Sequence, residues 1–137
     1  MKNPFRSLHE IERDLGDVAV AITRTQFFHF SGPTAWHPAV NAFRCGEHFL
    51  ICMELAGVER SAIDVRAESR RLIVRGTRVM PEPACDEEPA AQILALEIDH
   101  GQFERVLELP AEVDHERVTA EFRNGLLWIK LPLRPHG

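Results

Sequence analysis

Seven histidines and three cysteines are the residues in this chain best suited to hold a metal or attack an electrophile. Their spacing argues against both. Structural metal sites usually draw their ligands in close pairs, and no His-x-His or Cys-x-x-Cys pair occurs. Cys45 and Cys52 stand seven apart. Because successive side chains of an extended strand alternate faces, an odd separation puts these two thiols on opposite sides. Cys85, in an acid-rich stretch, reads as the exposed thiol. No Gly-rich phosphate loop, nucleophile elbow or paired carboxylate set appears, so no enzyme, no cofactor and no metal is expected. Arg66, Arg70, Arg71, Arg75 and Arg78 form a local basic run. Strand alternation spreads them over both faces and the acids that follow offset them, which reads as a solvated surface. With a net charge of -5 the chain has no general attraction to nucleic acid or an anionic membrane.

The framework that must carry these residues is a single domain with an arm, since 137 residues at 45% hydrophobic content leave little room for a second full domain. An odd cysteine count without metal-ligand spacing suggests reduced thiols and a cytoplasmic protein. The start, "MKNPFRSLHE", lacks the apolar core of a signal peptide, and no run approaches membrane-spanning length. Leu8, Ile11, Leu15, Val18 and Ile22 recur at intervals of 3 and 4, which stacks them on one face of a helix, with Ser7 and Glu10 as a capping box. Such a helix needs a partner for its stripe. Phe27, Phe28, Phe30 and Trp36 then cluster around Gly32 and Pro33, too apolar for a simple solvated linker.

From Pro38 the period changes to two. "EHFLICMEL", "SAIDVRAE" and "RRLIVRG" read as strands. "VMPEPACDEEPA" is a loop by composition, and "ILALEI" and "FERVLELP" are further strand candidates divided by "DHG". In "VTAEFRNGLLWIKLP", Asn124-Gly125 between apolar runs signals a two-residue hairpin, because both turn residues must take positive φ. That turn pairs Phe122 with Leu127, Ala120 with Ile129 and Val118 with Leu131 on an apolar face. The mixed opposite face pairs Arg123 with Leu126, Glu121 with Trp128 and Thr119 with Lys130. About eight short strands in roughly a hundred residues is the pattern of an all-β antiparallel sandwich of immunoglobulin-like form.

Ala120, Gly125 and Leu127 form an Ala-x-x-x-x-Gly-x-Leu pattern that resembles the closing signature of the small heat shock proteins, the α-crystallin domain family. "PAVNAF", "LAGVERSAIDVRAESRRLIVRGTR" and "GQFERVLELPAEVD" agree in order, so the resemblance covers about residues 38–133. It implies an N-terminal arm over 1–37, an α-crystallin domain over 38–133 and a short tail over 134–137. It also implies an ATP-independent holdase whose partners are unfolding client proteins. Client-binding surface would come from Leu8, Ile11, Leu15, Val18, Ile22, Phe27, Phe28, Phe30 and Trp36. A groove would be lined by Ile63, Val65, Val118 and Ala120, for which plain core is the competing reading. The resemblance further implies a homodimer in which Ile93, Leu94, Leu96 and Ile98 cross to pair beside Ala39, Val40, Ala42 and Phe43 of a second copy. The pattern alone leaves open a hairpin of that segment with "FERVLEL". Ala56 stands where the family usually has proline. The Ile-x-Ile-type tail anchor of shell-forming members has no match beyond Leu131-Pro132-Leu133, so the expected assembly is a dimer or small oligomer. A cochaperone-like binding module of the same fold, recognising a folded partner, is the alternative.

Overall fold

The computed structural model describes residues 5–8, 36–85 and 91–135. Among these residues eight strands form two antiparallel four-stranded sheets packed face to face. The first sheet has the order β1 (Arg6–Ser7), β4 (Ile63–Glu68), β5 (Arg71–Arg78), β6 (Gly101–Glu108). The second has the order β2 (Val40–Cys45), β3 (His48–Glu54), β8 (Leu126–Pro132), β7 (Thr119–Arg123). Alternation makes the core: Ile63, Val65, Ala67, Leu72, Val74 and Phe103 point inward from one sheet and Phe49, Ile51, Met53, Leu127, Ile129 and Leu131 from the other, all buried. The expected β sandwich is the observed fold.

The closing hairpin keeps the register that its turn dictates. Asn124 (φ 52°) and Gly125 (φ 75°) both sit in the left-handed region, and Phe122 pairs with Leu127, Ala120 with Ile129, Glu121 with Trp128 and Thr119 with Lys130. β7 begins at Thr119, so Val118 lies just before the paired stretch, buried in the same core. Gly125 also lies against the preceding turn: a Cβ there would come within 3.0 Å of Ala56, and the Gly125 carbonyl accepts from the Leu55 amide at 2.8 Å. The residue that departs from the family's proline thus touches the family's signature glycine.

Two sequence expectations change. Ile93–Ile98 forms no strand in the single chain; residues 91–100 are irregular. The hairpin with β6 does not form either, so the backbone hydrogen bonds of this apolar segment are not met by a sheet of its own chain. In its place a strand not read from the sequence appears at the other end, where Arg6 pairs with Val65 and Ser7 with Asp64. The arm helix lies outside the described residues from position 9 onward.

Candidate functional site

The resemblance placed two segments at an assembly surface, and both are open in the structure. Among the described residues β2 is an edge strand, paired with β3 on one side alone. Residues 41–45 are exposed, Phe43 to 48%, and Val40 is partly buried against the core. Ile93, Leu94, Leu96 and Ile98 are 66, 90, 55 and 61% exposed. A run of four large apolar side chains in water is uncommon in a chain that acts alone. Leu94, Leu96 and Ile98 share parity, so an extended backbone would gather them on one face. Both segments have backbone groups that no strand of the described chain pairs, and both expose apolar side chains, Phe43 on β2 and four residues of the 91–100 segment.

Ile63, Val65, Val118 and Ala120, expected to line a groove, are all buried and belong to one core cluster. The structure closes this region with the chain's own N-terminal residues. β1 adds to the edge of β4, pairing Arg6 with Val65 and Ser7 with Asp64, and Leu8 follows it directly. Leu8 is fully buried in that cluster, and Trp36 is 7% exposed. Both are therefore withdrawn from the surface in this conformation. The physical reason is that an edge strand beside an apolar seam takes the nearest extended segment able to fill it. Ile11, Leu15, Val18, Ile22, Phe27, Phe28 and Phe30 lie outside the described residues.

Phe5 takes the opposite face of the same strand, a contact with no signal in the sequence beyond its place three residues before Leu8. It is buried with Ile73, and the Arg75 guanidinium lies 3.7 Å from its ring centroid. Arg75 in turn sits between Asp64 and Glu104 in register, with its Nε 3.6 Å from Asp64 Oδ2. Burial lowers the Arg75 pKa against the pull of both carboxylates. Burial likewise raises that of Glu104, and the Arg75 charge only partly offsets it. One Glu104 carboxylate oxygen is buried without a hydrogen-bond partner, so the cause is physical desolvation.

A carboxylate with a raised folded-state pKa binds protons more strongly folded than unfolded. Its penalty is absent below the ordinary value of 4.5, grows as pH rises toward the raised value, and is constant above it. Glu104→Gln is accordingly expected to raise the melting temperature at pH 7 and to leave it unchanged near pH 4. Thermal unfolding followed by circular dichroism at both values checks this, and a lower melting temperature at pH 7 would contradict it.

The thiols sit apart: Cys45 and Cys85 are exposed and Cys52 is buried, its pKa raised by desolvation. Among the described residues no group of three or more His, Cys, Asp or Glu could hold a metal ion. Among them no helix is long and apolar enough to cross a membrane.

Comparison with known proteins gives one consistent result. The Hsp20/alpha crystallin family matches residues 42–137. Spore protein SP21 of Stigmatella aurantiaca is 29% identical over 133 residues, which covers 97% of this chain and 75% of the relative. The 18 kDa heat shock protein of Streptomyces albus G is 30% identical over 131 residues, 96% of this chain and 81% of the relative. Among solved structures, hspA from Xanthomonas axonopodis superposes with a TM-score of 0.62 at 32% identity, over 74% of this chain and 98% of that one.

Proposed function

The chain belongs to the Hsp20/alpha crystallin family, and we propose that it acts as an ATP-independent holdase that binds partly unfolded proteins and keeps them from aggregating. Family membership makes it a small heat shock protein, a class of chaperones and not of enzymes. The observations that carry the finer reading are the exposed run Ile93, Leu94, Leu96 and Ile98 and the open edge of β2. Holding requires apolar surface that can be presented and withdrawn.

The building block in this reading is a homodimer: Ile93–Ile98 of each copy pairs along β2 of the other, from Ala39 to Phe43. Pairing satisfies the backbone of both segments and covers the apolar face of the crossing one. Clients then meet the arm residues Ile11, Leu15, Val18, Ile22, Phe27, Phe28 and Phe30. Release of β1 from β4 adds Leu8 and the seam between Ile63, Val65, Val118 and Ala120. The setting is cytoplasmic, with no nucleotide and no nucleic acid involved.

Light scattering from a heat-labile client, warmed without ATP, tests this. Near-stoichiometric protein is expected to suppress the rise in scattering, and deletion of residues 1–36 is expected to abolish most of that protection. A folded, dimeric protein with no effect on scattering would overturn the holdase reading. A chain that remains monomeric would favour the cochaperone-like module, which binds a folded partner and needs no exchanged strand.

A further inference from the structure

Arg78 is the last residue of β5 and one of two charged side chains buried among the described residues, at 9% exposure. Among the described residues no carboxylate pairs with it. Instead it donates from Nε to the Asp99 carbonyl at 2.8 Å, with a second, short bond from Nη2 to the same oxygen, and from Nη1 to the Ala56 carbonyl at 3.1 Å. The flat guanidinium also stacks on Trp36, 3.7 Å from the ring centroid. Trp36 is held in turn: its ring meets Phe103 edge-on at 5.1 Å and 71°, and its amide donates to the Gln102 carbonyl at 3.2 Å.

These contacts join points far apart in the chain. Asp99 lies 21 residues beyond Arg78 and Ala56 lies 22 before it. Between Arg78 and Asp99 in the sequence come residues 79–98, which begin at Val79, 76% exposed, and include the exposed segment 93–98. Asp99 is the residue immediately after that segment, and strand β6 starts two residues later at Gly101, whose φ of 102° suits glycine. The β5–β6 ladder ends at the Arg78–Gly101 pair, and the buried Arg78 side chain carries the closure out to Asp99, at the point from which the apolar segment departs. Arginine suits this place because its rigid fork reaches two carbonyls while its face stays on an indole; lysine offers neither the fork nor the face.

We propose that Arg78 is the positioning residue for strand exchange: its grip on the Asp99 carbonyl, braced by Trp36 and Ala56, sets the direction in which Ile93–Ile98 leaves its own subunit toward β2 of a second copy. The inference rests on the exchanged homodimer proposed above. A loop with a closed neck presents its strand from a fixed root, so less conformational freedom is lost when the partner edge captures it. Without the brace the neck is closed only at the Arg78–Gly101 pair of the ladder, and residues 99 and 100, which lead from it to the apolar segment, lose their tether.

The test uses the full chain and compares Arg78→Gln, Arg78→Lys and Trp36→Leu with the parent by sedimentation equilibrium and by the rate of subunit exchange between labelled copies. Arg78→Gln is expected to weaken the dimer by about tenfold or more and to speed subunit exchange, at a temperature where circular dichroism shows the sandwich folded. Arg78→Lys should recover only part of the loss, and Trp36→Leu, which leaves every hydrogen-bonding group of Arg78 in place, should weaken the dimer to an intermediate degree. A folded Arg78→Gln chain with the parent's dissociation constant and exchange rate would overturn the proposal. If Arg78→Gln does not fold, Trp36→Leu decides in the same way. A parent chain that is monomeric throughout would instead refute the exchanged dimer itself.

Discussion

Leu94→Asp combined with Leu96→Asp is expected to convert the proposed strand-exchanged dimer into a folded monomer. In the single chain these side chains are 90 and 55% exposed, so charges there cost the sandwich little, within about half a kcal/mol. In the exchanged dimer both would lie on the covered face of the crossing strand. Burying a leucine side chain is worth roughly 1.5–3 kcal/mol, and each 1.4 kcal/mol is about a factor of ten in dissociation constant. Losing both contacts should raise the dissociation constant by about a hundredfold or more. Analytical ultracentrifugation over a range of concentrations reads the mass, and the sandwich's own melting gives the control. A double variant that stays dimeric at the parent's affinity would show that this segment does not form the interface. Scattering assays on the monomer then separate assembly from holding, since the arm is untouched.

Gly76→Ala is expected to cost about 4 kcal/mol, a large part of the 5–15 kcal/mol that typically holds a domain together. The glycine is required by space and not by φ. It lies within β5, paired with Ile63 on one side and Phe103 on the other. An added Cβ would stand 2.2 Å from the Ala62 carbonyl oxygen and 2.8 Å from the Phe103 ring. Neither neighbour can yield cheaply. Ala62 ends the short 3-10 turn Arg60–Ala62 and its amide is bonded back to Glu59 at 2.9 Å, while Phe103 is 1% exposed and backed by Trp36. Urea unfolding of the variant measures the loss, and Gly76→Val should leave no folded protein at 25 °C. A Gly76→Ala chain within about 1 kcal/mol of the parent would mean that β5 can draw away from the turn without penalty.

Both predictions trace to places where the chain brings together residues that its order keeps apart, and the same distinction governs what could be read in advance. The closing hairpin was legible to the residue: two positions needing positive φ fix the turn, the turn fixes the register, and a period of two assigns each side chain a face. Alternation from Pro38 onward likewise marked β3, β4 and β5 and most of the core, because inward-facing positions must be apolar for the two sheets to pack. The absence of paired ligand spacings and phosphate-binding loops pointed away from chemistry on local grounds as well.

What local rules could not reach were contacts made across long separations. Phe5 to Leu8 is too short a segment to show a period, and Leu8 also fits the start of a helical stripe. Its burial was decided by the open edge of β4, more than fifty residues away. Arg78 looked like one cation in a solvated run, yet it is buried because the folding of β5 beside β6 delivers two carbonyls and an indole to its fork. Ile93–Ile98 has the alternation of a strand, but alternation supplies only a face. A strand also needs an edge to pair with, and this segment takes none of the edges of its own chain. Periodicity is written in neighbouring residues, whereas pairing partners, buried charges and open edges are properties of the assembled sheets.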